Sequence, residues 1–182
     1  MKETRKTIAI DSNALTFFVD AIETDYDPAR DRADLAAEKV AVLRIYFYTG
    51  EPYYVVPTVE KEYRGIVERI KRTNHEDVHA VLMLDFVHEI NENDIKQRAD
   101  FYYRFHPCAE DCRILAEAEF GGIDILLTFD SKLIHRLKQN TKSIELMRPS
   151  EFLNVLNISS GTRPVVAPHR TNPLSRKTWW VI

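Results

Sequence analysis

The stretch "IAIDSNAL", residues 8–15, runs three apolar residues straight into an aspartate. Ile8, Ala9 and Ile10 have the character of a buried strand, and Ser12 and Asn13 are residues that open a helix. Asp11 therefore falls where a strand hands over to a helix. The same order returns in "IDILLTFDSKL", residues 123–133, with Asp130 after a second apolar run. Strands of this kind alternating with helices imply an α/β domain with a mainly parallel sheet, whose strands end on one common edge. Open α/β sheets bind their ligands along that edge. Asp124, at the start of the second run, lies about 20 Å from Asp130 at ~3.3 Å per residue and is expected to be structural, at the opposite edge.

Outward from these two runs the elements alternate. "ALTFFVDAI" continues as a helix, and "ADLAAEKVAVLRIYFYTG" keeps helical spacing until Gly50 stops it. "PYYVVP" reads as a strand bounded by prolines, and Thr58 can cap a helix whose stripe is Val59, Tyr63, Ile66 and Ile70. "HEDVHAVLMLDFVHEI" is expected to be a helix merging into a short strand, and "ENDIKQRADFYYRF" a helix that starts near Asn93. "AEDCRILAEAEF" is a helix that stops at Gly121 and Gly122, "KLIHRLKQ" another, and "SIELMR" a last strand. Residues 1–156 are thus expected to form one domain. Residues 157–182 form an extended tail with three prolines and no acidic residue, made basic by Arg163, Arg170, Arg176 and Lys177. Such a tail suits docking on the domain, a partner contact, or a phosphate backbone.

Composition narrows the class. The 182 residues are 45% hydrophobic, enough to bury a core, and 25 basic against 28 acidic residues leave a net charge of −3, so no overall basic field marks a nucleic-acid binder. The two cysteines, Cys108 and Cys112, are read as reduced thiols of a cytoplasmic protein. "MKETRKTIAI" lacks the long apolar segment of a secretory signal and nowhere do 18 apolar residues run together, so a soluble, intracellular protein with no membrane partner is expected.

Further acids fall into helices. Asp111 shares a face with Leu115 and Ala118 and is expected to point inward, whereas Glu110, Glu117 and Glu119 lie off that stripe and read as solvent-facing. Glu60 and Glu62 flank their apolar stripe equally, and periodicity does not choose between them. Carboxylates brought together raise one another's pKa unless a cation compensates. Oxygen-only donors point to a hard divalent ion, Mg²⁺ or Mn²⁺, and such an ion suits phosphodiester hydrolysis by activating water and neutralising developing charge.

In this order, "IAIDSNAL" with Asp11, "VPTVEKEYRGI" with its glutamate, "AEDCRILAEA" with Asp111 and "IDILLTFDSKL" with Asp130, the chain resembles the PIN-domain nucleases. The resemblance spans about residues 7 to 153 and ends at the closing strand and "RPSEF". It implies a three-layer fold with helices on both sides of the sheet. It also implies a metal-dependent endoribonuclease whose Mg²⁺ or Mn²⁺ is held by Asp11, Glu62, Asp111 and Asp130. Glu62 is the better match of its pair because of the "EYRG" that it opens, with Glu60 the alternative. Asn13, together with Ser12, matches the polar residues after the first acid, and Thr128 the threonine two places before the last. Many single-domain members are VapC-type toxins, so an RNA substrate is expected, with an antitoxin or other protein partner and a homodimer as open alternatives. The greater length, the Tyr-rich middle helices and the basic tail depart from compact toxins.

Competing patterns give way on context. "HEDVH" fits the H-E-x-x-H pattern of zinc proteases with His75, Glu76 and His79, yet it is expected at a solvated helix start. His106, Cys108 and Cys112 lack a second ligand pair at structural-zinc spacing, and buried cysteines are the simpler reading. Tyr53, Tyr54, Tyr102 and Tyr103 read as core rather than as stacking platforms for bases. Asp11 and Asp130 could each be a helix cap, which leaves Asp111 unexplained. A PIN-like scaffold that binds RNA or a protein without cutting is the alternative function.

Overall fold

The apolar run becomes strand β1, Ile8–Ile10, buried along its whole length, and helix α1, Ser12–Glu23, follows at once. The structure, a computed structural model, describes residues 6–23, 26–85 and 91–182. Helix α2, Ala33–Thr49, ends at Gly50, whose φ of 67° is the left-handed cap that a side chain would strain. Strand β2, Tyr53–Val55, leads into helix α3, Pro57–Arg64. Val56 stands at the N-cap of α3, and Thr58, expected there, lies inside the first turn. Gly65 ends α3, so the expected stripe breaks: Ile66 is half-buried, and Ile70 is exposed on a separate helix α4, Arg69–Leu82.

Strand β3, Met83–Asp85, continues directly from α4, and the last five residues of "HEDVHAVLMLDFVHEI" lie outside the described residues. Helix α5, Glu92–Tyr103, is capped by Asn91, and helix α6, Ala109–Phe120, starts after Cys108. Strand β4, Ile125–Leu127, helix α7, Ser131–Leu137, strand β5, Glu145–Met147, and helix α8, Pro149–Leu156, complete the order.

The five strands form one sheet in the order β3-β2-β1-β4-β5, and every pairing is parallel. The expected α/β class holds, with the mainly parallel sheet fully so among the described residues. The chain moves outward from β1 to β2 and β3, then returns to β4 on the other side of β1. By the right-handed crossover rule the connections from β1 to β3 and those from β3 to β5 run over opposite faces of the sheet, a three-layer arrangement of the PIN-like type in which α3 and α6 still meet. β1 and β4 are aligned Ile8 to Ile125 and Ile10 to Leu127, and the crevice beyond their carboxyl ends is the topological switch point. Asp11 and the Thr128–Asp130 turn stand there.

Residues 157–182 lie against the domain. Arg44 of α2 donates to the carbonyls of Trp179, Trp180 and Val181, and the Phe47 carbonyl accepts from the N–H groups of Val165 and Val166. Leu174 and Trp180 are buried in the core, while Arg163, Arg170 and Arg176 remain exposed.

Candidate active site

Asp11 is the first residue after β1, and its N–H still donates to the Leu127 carbonyl, 3.1 Å away, so the sheet itself holds its backbone. Its side chain turns into the crevice and is only 7% exposed. Oδ1 accepts the Ala14 N–H at 2.7 Å, as a residue at a helix start does, and the Thr128 hydroxyl also hydrogen-bonds the carboxylate. Burial nevertheless pushes the carboxyl up to about 6, and the nearby charges of Asp111 and Asp130 add to the rise that those hydrogen bonds oppose. The sheet edge thus brings three aspartates of three different elements within electrostatic reach.

Thr128 is fully buried, and its Oγ1 accepts the Asp130 N–H at 3.0 Å. One hydroxyl therefore ties Asp11 to the turn that carries Asp130. Asp130 Oδ1 caps α7, accepting from Lys132 at 2.7 Å and Leu133 at 3.1 Å, a cap that does not use its second oxygen. The cap and the cluster coexist in one side chain.

Glu62 arrives from α3. The Ser12 hydroxyl, one residue beyond Asp11, donates to Glu62 Oε2. Glu60, two residues earlier, projects elsewhere: Arg64 lies 2.5 Å from its Oε1, and it neighbours His79 and Asp85. The pair that periodicity leaves open is separated by geometry, with Glu62 bonded to Ser12, the residue that follows Asp11. Asn13 is exposed on the first turn of α1.

Asp111 opens α6 and is partly exposed, with Oδ2 2.9 Å from Nε2 of the buried His106. That imidazole is a partner that no spacing argument supplies. The expectation for the remaining acids of α6 holds for exposed Glu110 and fails for two others. Glu117 is fully buried and accepts from the Thr58 N–H at 2.8 Å, the Thr58 hydroxyl at 2.7 Å and Arg113 Nε at 2.9 Å. Glu119 accepts from Arg98, from the Tyr102 hydroxyl and from the Lys142 N–H. α6 packs against α5 and α3 together, so its buried arc is wider than one stripe.

The H-E-x-x-H segment also differs from expectation. It lies inside α4, and both histidines face inward: His75 is fully buried and meets Thr16 and the Lys71 carbonyl, while His79 meets Tyr63. The Tyr63 ring packs against both, but their hydrogen-bond partners differ and Glu76 is exposed, so no protease-type centre forms among the described residues. Of the tyrosines, Tyr53 and Tyr102 are core, Tyr54 is half-buried, and Tyr103 is exposed. Cys112 is buried and Cys108 half-buried, both as free thiols.

Two grooves flank the acids. One of about 550 Å³ lies between α3 and α6 and includes Lys61 and Glu62; one of about 430 Å³ runs along α7 and includes Ser131, His135, Lys138 and Arg148. The four acids themselves offer only oxygens, although His106 and Cys108 stand beside Asp111 with ligand atoms within 4.8 Å of one another, and no cation offsets the burial of Asp11 among the described residues; the oxygen donors suit a hard divalent ion. The chain matches no protein-family model and no curated protein. Among the described residues, no helix is long and apolar enough to cross a membrane.

Proposed function

We propose that this chain is a PIN-like, metal-dependent endoribonuclease that hydrolyses RNA phosphodiester bonds at the crevice between β1 and β4. The observation that carries the reading is Asp11: a carboxylate buried at the switch point, facing two further aspartates, with Glu62 bonded to the hydroxyl of the next residue, Ser12. Asp11, Glu62, Asp111 and Asp130 would hold Mg²⁺ or Mn²⁺. When bound, the ion supplies Lewis-acid charge for the phosphate and lowers the pKa of water. The protein's own part is to fix the acids. Thr128 and the Ala14 N–H orient Asp11, Ser12 orients Glu62, the start of α7 orients Asp130, and His106 orients Asp111. Lys61 in one groove, and His135 and Lys138 in the other, lie where they can meet the backbone phosphates of a single strand crossing the acids.

A toxin paired with an antitoxin protein is the physiological setting that the PIN-like reading favours, and two free thiols suit a reducing cytoplasm. The test is direct. Purified full-length protein is incubated with labelled single-stranded and structured RNAs in Mg²⁺, Mn²⁺ or EDTA. Cleavage with either metal and its loss in EDTA support a nuclease; RNA that is bound and left intact under all three conditions points to a binding scaffold.

A further inference from the structure

His79 has a position that the acidic crevice does not use. It is buried in α4 with a side chain 8% exposed, and its ring is fixed by a 2.6 Å hydrogen bond between Nδ1 and the Tyr63 hydroxyl. The opposite nitrogen, Nε2, is buried and has no hydrogen-bond partner among the described residues, although Asp85 Oδ1 lies 3.1 Å away. A shared proton at that separation would make a hydrogen bond if it were aligned, and it is not. Glu60 completes the group, since one ligand atom from each of Glu60, His79 and Asp85 lies within 4.8 Å of the other two.

We infer that Glu60, His79 and Asp85 form a second metal site, built for Zn²⁺ or a similar first-row transition ion and separate from the acidic crevice. One imidazole and two carboxylates are a mixed N/O donor set, which favours such ions over Mg²⁺. In a tetrahedral zinc site the ligand atoms stand about 3.4 Å apart, which follows from bonds of ~2.1 Å, so small side-chain rotations close the group. Tyr63 takes the part of the outer partner that sets the orientation of a ligating histidine. Arg64 opposes the ion with its charge, but it engages Glu60 through Oε1 and leaves that carboxylate's second oxygen. The group opens onto a pocket of about 220 Å³ that also includes Glu76 and Met83, with room for a water as fourth ligand. The three ligands come from α3, the later half of α4 and the end of β3, so the ion would clip these elements together.

The test uses the full-length protein stripped of metal and titrated with Co²⁺, whose visible absorption reports coordination, then with Zn²⁺ as competitor. Wild type and Asp11→Asn should bind one ion alike at this site. Asp85→Asn, at a position 77% exposed and therefore safe for folding, and Glu60→Gln should weaken binding by at least about tenfold. Circular dichroism verifies that each variant is folded. Zn²⁺ affinity unchanged in both Asp85→Asn and Glu60→Gln, or Co²⁺ absorption lost in Asp11→Asn, would overturn the inference.

Discussion

Asp11 combines burial with two like-charged neighbours, and in the absence of metal that combination is unfavourable. Its folded-state pKa rises from 3.8 to about 6, so between those values the folded chain holds a proton that the unfolded chain has released. Stability from this group is therefore full below about pH 4 and is lost as pH rises through about 6, by ~3 kcal/mol at most. Asp11→Asn keeps an acceptor for the Ala14 N–H and removes the titration. In EDTA, urea unfolding at pH 4.5 and pH 7.5 should show Asp11→Asn gaining on wild type at the higher pH by about 1–3 kcal/mol. Mg²⁺ should reverse the order, because it stabilises the folded wild type by mass action. A variant that gains nothing at pH 7.5 would show that Asp11 is not electrostatically burdened.

At the scale of elements, the legible features are those in which one physical cause dominates. Strands buried on both faces must be continuous apolar runs, so β1 and β4 stand out in the sequence, and with them the edge that carries Asp11 and Asp130. Glu117 is not legible, because helical periodicity assumes one apolar face and α6 is covered on two sides. Glu60 and Glu62 are about 200° apart on a helix turning ~100° per residue, so one stripe cannot rank them; the Ser12 contact does. His75 and His79 lie deep in their helix rather than at its start because α4 begins at Arg69, six residues before the motif, after the Gly65 break. Glu117 clamps α3, which carries Glu62, to α6, which carries Asp111. Glu117→Leu strips the Thr58 N–H and Arg113 of their shared partner and should cost about 3 kcal/mol in urea unfolding. Glu110→Ala, at an exposed position in the first turn of the same helix, should stay within ~0.5 kcal/mol. Equal effects would remove the clamp from the account.

For the molecule as a whole, residues 157–182 have two sides. Trp180 and Leu174 face inward with Arg44 holding the chain end, a docking made through backbone carbonyls and two apolar anchors that leaves no periodic trace in sequence. Trp180→Ala should destabilise by about 3–5 kcal/mol in thermal or urea melts. Arg163, Arg170 and Arg176 face outward. Replacing all three with Ala should leave stability near wild type while reducing the salt dependence of single-stranded RNA binding, by about 0.7 in log–log slope for each phosphate that is no longer neutralised. An unchanged slope would assign the segment to docking alone.

The sheet edge, the cap on α7 and the Ser12–Glu62 hydrogen bond converge on one claim, that Asp11, Glu62, Asp111 and Asp130 act as a single metal-dependent centre on RNA. The measurement that meets it most directly is the Mg²⁺-dependent cleavage rate of one defined single-stranded RNA by wild type, Asp11→Asn, Glu62→Gln and Glu60→Gln, each verified as folded. The expected result is a fall of at least ~100-fold for Asp11→Asn and Glu62→Gln, with Glu60→Gln retaining most of the wild-type rate. Equal cleavage by wild type and Asp11→Asn, or activity lost with Glu60→Gln and kept with Glu62→Gln, would contradict it.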